Sequence, residues 1–303
     1  MSFASLRRVL RSARKGLCST CSRAKYPQLE AAGAGHVGCL IYTIETLGQL
    51  IKDDHNVTAM HVAARKGQIA ILIYLIENNF VKGIDRAKNG ATPAHDAAGT
   101  GNLDCLRYVL SHTMASASDI DNYNATPLHW AVRSGHRKVV QWLVAEGHAP
   151  IDATTLSGIT PIHLAASKNH FEILRWLTGY AYKHYPKPRK LINAKDKSGC
   201  TPLYHAAQGG RCNIIRWLAE KAGGDPTIRS HENLAPLHAA TVAGHLEAVK
   251  YLFQFGSASA PGGIRTDKGA CALHFAAAEG KLNYNNIIFE GLLLRMIIGL
   301  PVM

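Results

Sequence analysis

Thr92-Pro93-Ala94-His95, Thr126-Pro127-Leu128-His129 and Thr160-Pro161-Ile162-His163 are one tetrapeptide met three times. Looser copies follow at Thr201-Pro202-Leu203-Tyr204, Ala235-Pro236-Leu237-His238 and Cys271-Ala272-Leu273-His274, and Thr58-Ala59-Met60-His61 comes before them. Successive starts lie 34, 34, 34, 41, 34 and 36 residues apart, and a fainter copy, Tyr26-Pro27-Gln28-Leu29, sits 32 residues before Thr58. A period in this range marks stacked units, each unable to bury its apolar face alone.

Other columns keep the register. Two residues before each clear tetrapeptide stands Asn56, Gly90, Asn124, Gly158, Gly199, Asn233 or Gly269. These are the residue types that tolerate a left-handed backbone at a turn. Nine residues after each start comes Gly35, Gly67, Gly101, Gly135, Asn169, Gly210, Gly244 or Gly280, a helix C-cap column. Between them lie pairs such as Ala63-Ala64, Ala97-Ala98 and Ala165-Ala166, small enough for neighbouring helices to approach closely. The Thr opens a short helix with Pro in its first turn, where a missing N–H costs nothing. A second helix follows, apolar at helical spacing, as in Val139, Val140, Trp142 and Leu143.

A Thr-Pro-Leu-His signature at a period near 33 resembles the ankyrin repeat. The resemblance implies an all-α solenoid of helix-turn-helix units with β-hairpin-like finger loops. It covers residues 24–282, as one degenerate repeat and seven clear ones. Residues 1–23 form a basic leader expected to be disordered, and 283–303 an atypical apolar segment where a polar capping repeat would stand.

Composition bounds the function. The chain has 303 residues, nearly half of them apolar, and a formal net charge of +13. A large core is available, and acidic partners are favoured. Seven scattered cysteines (18, 21, 39, 105, 200, 212 and 271) fit no disulfide framework and suggest a reducing compartment. Cys18 and Cys21 form one Cys-x-x-Cys, half a zinc site, with no second pair apparent nearby, so no metal and no cofactor are expected. The leader carries seven basic residues and no acid in its first twenty-five positions, which is also the composition of a mitochondrial presequence. The apolar C-terminus holds Glu290 and Arg295 and falls short of a membrane span.

Several constellations have ordinary structural explanations. His95, His129, His163, His238 and His274 lie one repeat apart, about 10 Å, too far to share one ion at about 2 Å. They are expected to be buried and hydrogen-bonded to adjacent loops. Trp142, Trp176 and Trp217 share a second-helix column and are expected in the core, whereas Trp130 could face core or groove. No Gly-rich phosphate loop, activated nucleophile or carboxylate pair stands out, so no catalytic residue is expected. The basic residues are spread rather than ordered with stacking groups, which disfavours nucleic acid.

Function is expected at the finger tips and first-helix ends, where a fixed backbone lets side chains vary. Tyr123 and Leu156 are apolar tip residues in adjacent central repeats, flanked by Lys88, Arg133, Lys168 and Lys197. An apolar centre with a basic rim suits a peptide bearing acidic and apolar residues. The seven-residue insertion around Tyr182–Lys190, with two prolines, is expected to be a stiff exposed loop.

One run is more particular. Arg86-Ala87-Lys88-Asn89-Gly90-Ala91-Thr92-Pro93-Ala94-His95-Asp96-Ala97, with Gly101, Leu103, Cys105 and Leu106, resembles the ankyrin stack of espin and espin-like proteins, as do His184-Tyr185-Pro186 and Thr201-Pro202-Leu203-Tyr204. That resemblance implies a monomeric cytoplasmic scaffold of actin-rich protrusions, whose partner is a class III myosin tail or another actin-associated protein. Nothing in these residues resembles the family's actin-binding segments. The alternatives are a general ankyrin adaptor, such as a substrate receptor or signalling regulator, and, from another class, an enzyme.

Overall fold

The computed structural model describes residues 17–81 and 84–256. The repeat beginning at Cys271, the segment 283–303 and the first sixteen residues lie outside them. The chain divides into two compact units, Met1–Thr155 and Leu156–Met303. Among the described residues there are helices and no strands.

In the first unit a short helix, Ser19–Arg23, precedes four helix pairs. These are Pro27–Ala34 with Val37–Leu47, Ala59–Lys66 with Ile69–Glu77, Pro93–Thr100 with Leu103–His112, and Pro127–Ser134 with Arg137–Ala145. The second unit pairs Pro161–Ser167 with Phe171–His184, Pro202–Gln208 with Cys212–Glu220, and Pro236–Ala243 with Leu246–Gly256. Residues 19–23, expected within the leader, are helical, and Cys21 is buried.

Each first helix starts as its tetrapeptide dictates. The amide N–H of Thr58, Thr92 and Thr160 donates to Nδ1 of His61, His95 and His163 at 3.2–3.3 Å. That fixes the tautomer, because a nitrogen that accepts carries no proton. Nε2–H then donates to a carbonyl of the following repeat: His61 to Ala91 at 3.1 Å, His95 to Ala125 at 3.0 Å and His163 to Cys200 at 3.1 Å. His95 and His163 are thus structural struts, as expected, and His61 joins them; His274 lies outside the described residues. Burial holds these three imidazoles below the usual histidine range, His163 at about 4. Helix ends close on left-handed glycines such as Gly67, Gly101 and Gly135. Ala63, Ala64, Ala97 and Ala98 are fully buried where first helices meet, and Leu72, Leu75, Leu106, Val140 and Leu143 fill the layer under the second helices.

The fingers are hairpin-like turns rather than strands. Asp53, Asp121 and Asp196 each accept two amides of their own turn at 2.8 Å. Neighbouring tips join by backbone bonds: Lys88 N–H to His55 O and Asn122 N–H to Asn89 O in the first unit, and Lys197 N–H to Ser157 O and His231 N–H to Ser198 O in the second.

Two expectations change. The insertion is not a loop: the second helix runs on to His184, and Pro188–Ile192 forms another turn of helix. Trp176, Tyr180 and His184 stack at successive helical turns, with ring centroids 5.4 and 4.1 Å apart, and the Tyr182 hydroxyl donates to Ala222 O. The tryptophan column is half-buried rather than core. Arg107 lies over Trp142 and Arg175 over Trp217, at 5.4 and 5.5 Å, so each indole caps the neighbouring second helix by cation–π contact.

Candidate functional site

In the first unit the finger tips and first helices enclose a cavity of about 710 Å³. Its rim is basic: His55, Arg65, Lys88 and Arg133 line it, and Tyr123 stands at a tip. Tyr123 is 67% exposed. Trp130 forms part of the wall, its indole N–H donating to Asp121 Oδ2 at 3.0 Å and its ring meeting His95 edge-on at 5.6 Å. Gly99 lies beneath it: a Cβ there would sit 2.9 Å from Trp130 Cε3.

One acid lines this cavity, Asp96. It is 4% exposed. Arg65 reaches its Oδ1 through Nε at 3.0 Å and a terminal nitrogen at 2.9 Å, while Oδ2 has no hydrogen-bond partner among the described residues. Burial raises the Asp96 carboxyl above the usual range and Arg65 opposes that shift.

The expected site residues thus separate. Lys88, Tyr123 and Arg133 converge on the cavity. Leu156, Lys168 and Lys197 belong to the second unit, where all three are exposed. Tyr123 and Leu156 fall in different units, and the first unit's cavity is also lined by Trp130, Arg65 and Asp96. A sequence signal for Asp96 and Trp130 exists. They share the fifth position of their repeats with Val62, Leu164, His205 and Ala239, a column that varies while its neighbours stay fixed.

A second cluster corrects the expectation that Cys18 and Cys21 have no counterpart. Their sulfurs each lie 3.4 Å from His36 Nδ1, and ligand atoms of Cys18, Cys21, His36 and Cys39 all lie within 4.8 Å of one another. The missing half is His36-x-x-Cys39.

A family model for ankyrin repeats matches three times, over residues 78–155, 148–230 and 222–292. The chain belongs to the ankyrin-repeat family. No curated protein matches it closely enough to count as a relative. Ankyrin arrays are protein-interaction scaffolds whose stacked repeats present extended binding surfaces, and no helix among the described residues is long and apolar enough to cross a membrane.

Proposed function

We propose that this ankyrin protein is a scaffold that holds a peptide segment of an actin-associated partner in the first unit's cavity. The observation that carries the reading is the cavity itself: an exposed tyrosine and a half-buried tryptophan inside a rim of His55, Arg65, Lys88 and Arg133. Aromatic anchors surrounded by charge are the arrangement of a binding hot spot. The basic rim steers an acidic segment, and Tyr123 with Trp130 takes its apolar side chains. The work is binding rather than turnover.

The choice of partner rests on the espin-like run. Its tip residues Lys88 and Asn89, and its Asp96, all line the cavity, so the most particular stretch of sequence is also the wall of the groove. On this reading the occupant is the tail of a class III myosin, and the protein works in the cytoplasm on the actin cytoskeleton. Titrating a purified class III myosin tail into the full chain tests it. Saturable binding, weakened about tenfold by Tyr123→Ala, supports the reading. Binding no tighter than that of unrelated acidic peptides would leave a general ankyrin adaptor.

A further inference from the structure

We infer that Cys18, Cys21, His36 and Cys39 form a zinc site that fastens the helix Ser19–Arg23 onto the first ankyrin repeat. Three thiols and an imidazole are the donor set of a closed structural zinc site, and thiolates select zinc over magnesium or calcium. The spacing is that of such sites: Cys-x-x-Cys ahead of one helix pair and His-x-x-Cys at the start of its second helix.

The geometry fits a shared ion. Zn–S near 2.3 Å and Zn–N near 2.0–2.1 Å at tetrahedral angles put sulfur and nitrogen about 3.5 Å apart. His36 Nδ1 stands 3.4 Å from both Cys18 Sγ and Cys21 Sγ. The Cys18 amide approaches Cys39 Sγ at 3.4 Å, an N–H···S contact that supports a thiolate ligand. The cysteines are not joined by disulfides. Cys21 and Cys39 are buried, Cys18 is half-buried and His36 is exposed, so the ion would sit at the edge of the fold, held by four protein ligands.

The position in the array explains why the site stands here. His36 opens the second helix of its repeat, in the column of Gln68, Asn102, His136 and His245. Those four reach back to a carbonyl on the preceding first helix: Gln68 to Gly33 at 3.2 Å, Asn102 to Ala64 at 3.0 Å, His136 to Gly99 at 3.1 Å and His245 to Gln208 at 3.1 Å. Ahead of His36 the structure offers the short helix Ser19–Arg23 instead of a repeat, and the imidazole turns to its two sulfurs. A five-residue helix has no stability of its own. Cys21 is its one buried residue, so apolar packing does not hold it. The ion does, tying that helix to the first helix pair.

The test uses the full chain, purified under reducing conditions with zinc present and then freed of loose metal by gel filtration. Metal analysis is run on the wild type, on Cys18→Ser/Cys39→Ser, and on Cys212→Ser as a control outside the cluster. The expected result is one zinc per chain in wild type and control and loss of that zinc in the double variant. Chelation of the wild type should speed amide exchange in residues 19–23 while leaving the helical spectrum of the array. Should the double variant fail to fold, cobalt titration of the metal-free wild type decides: the intense bands of a tetrahedral thiolate complex support the site, and a pale octahedral spectrum overturns it. Wild type that retains no zinc, zinc that survives the double substitution, or a disulfide among these cysteines in the reduced preparation would each overturn it too.

Discussion

Asp121 ties the wall of the cavity to its tip: Oδ2 accepts the Trp130 indole N–H at 3.0 Å while Oδ1 accepts the amides of Tyr123 and Ala125 at 2.8 Å. One buried acid therefore fixes both aromatic anchors relative to each other before any partner arrives. Asp196 does the same work in the second unit, with His205 in place of the tryptophan.

This relationship separates two substitutions. Tyr123→Ala removes an exposed side chain, so the denaturant midpoint should stay within about 0.5 kcal/mol of wild type while partner affinity falls. Asp121→Ala leaves two amides and an indole without their acceptor and should cost about 2–3 kcal/mol, with affinity falling as well. Chemical denaturation and a binding titration on the same preparations check both.

Acid should loosen the stack through its histidines. Burial lowers the folded-state values of His61, His95 and His163, so the unfolded chain binds protons first. Stability is then complete above the unfolded value of about 6.5, falls as pH drops below it, and is fully lost for His163 near 4. For His163 the shift corresponds to roughly 3 kcal/mol. Denaturant midpoints measured from pH 7 to pH 4 should fall in wild type and fall less steeply in His163→Gln. Equal slopes would refute the buried neutral tautomer.

Arg65→Ala strands the Asp96 carboxylate in a nearly dry site. Arg65 is partly exposed, so solvent discounts the pair, and a loss of about 1–3 kcal/mol at pH 7 is expected. The sign with pH is opposite to that of the histidines. A carboxyl whose folded value is raised keeps its stability below the unfolded value and loses it as pH rises through the folded one. The deficit of Arg65→Ala relative to wild type should therefore shrink toward pH 4 in the same melts.

Gly90 and Gly48 isolate a clash from backbone strain. Both are left-handed, at φ 81 and φ 69. A Cβ at Gly48 meets nothing within 4 Å, whereas one at Gly90 would lie 2.7 Å from the backbone nitrogen of Asn122. Gly48→Ala should cost about 1 kcal/mol of strain. Gly90→Ala should cost more, because the finger of the next repeat has to move, and equal costs in thermal melts would contradict the finger-to-finger contact.

The repeat was legible because its register lives inside each unit: Thr and Pro start a helix, Gly ends it, and the spacing of those signals is local. Contacts between repeats were less so. The histidine strut could be read because it recurs, but Asp96 with Arg65 occurs once and resembles ordinary surface charge. His36 is hidden in the sequence for a related reason. It shares its column with His136, His170 and His245, so periodicity makes it look like one more repeat residue, and only the fold shows Cys18 and Cys21 beside it. The insertion misled through its prolines: Pro188 opens a helical turn at its first position, where proline is tolerated.

The proposed binding surface is the first unit's cavity. Peptides selected against the full chain from a random displayed library, with affinities then compared by fluorescence anisotropy between wild type and Lys88→Glu/Tyr123→Ala, test it without assuming a partner. The expected result is peptides that combine acidic and apolar residues and bind the double variant at least about tenfold more weakly. Peptides without that character, or equal affinity for the two proteins, would contradict it.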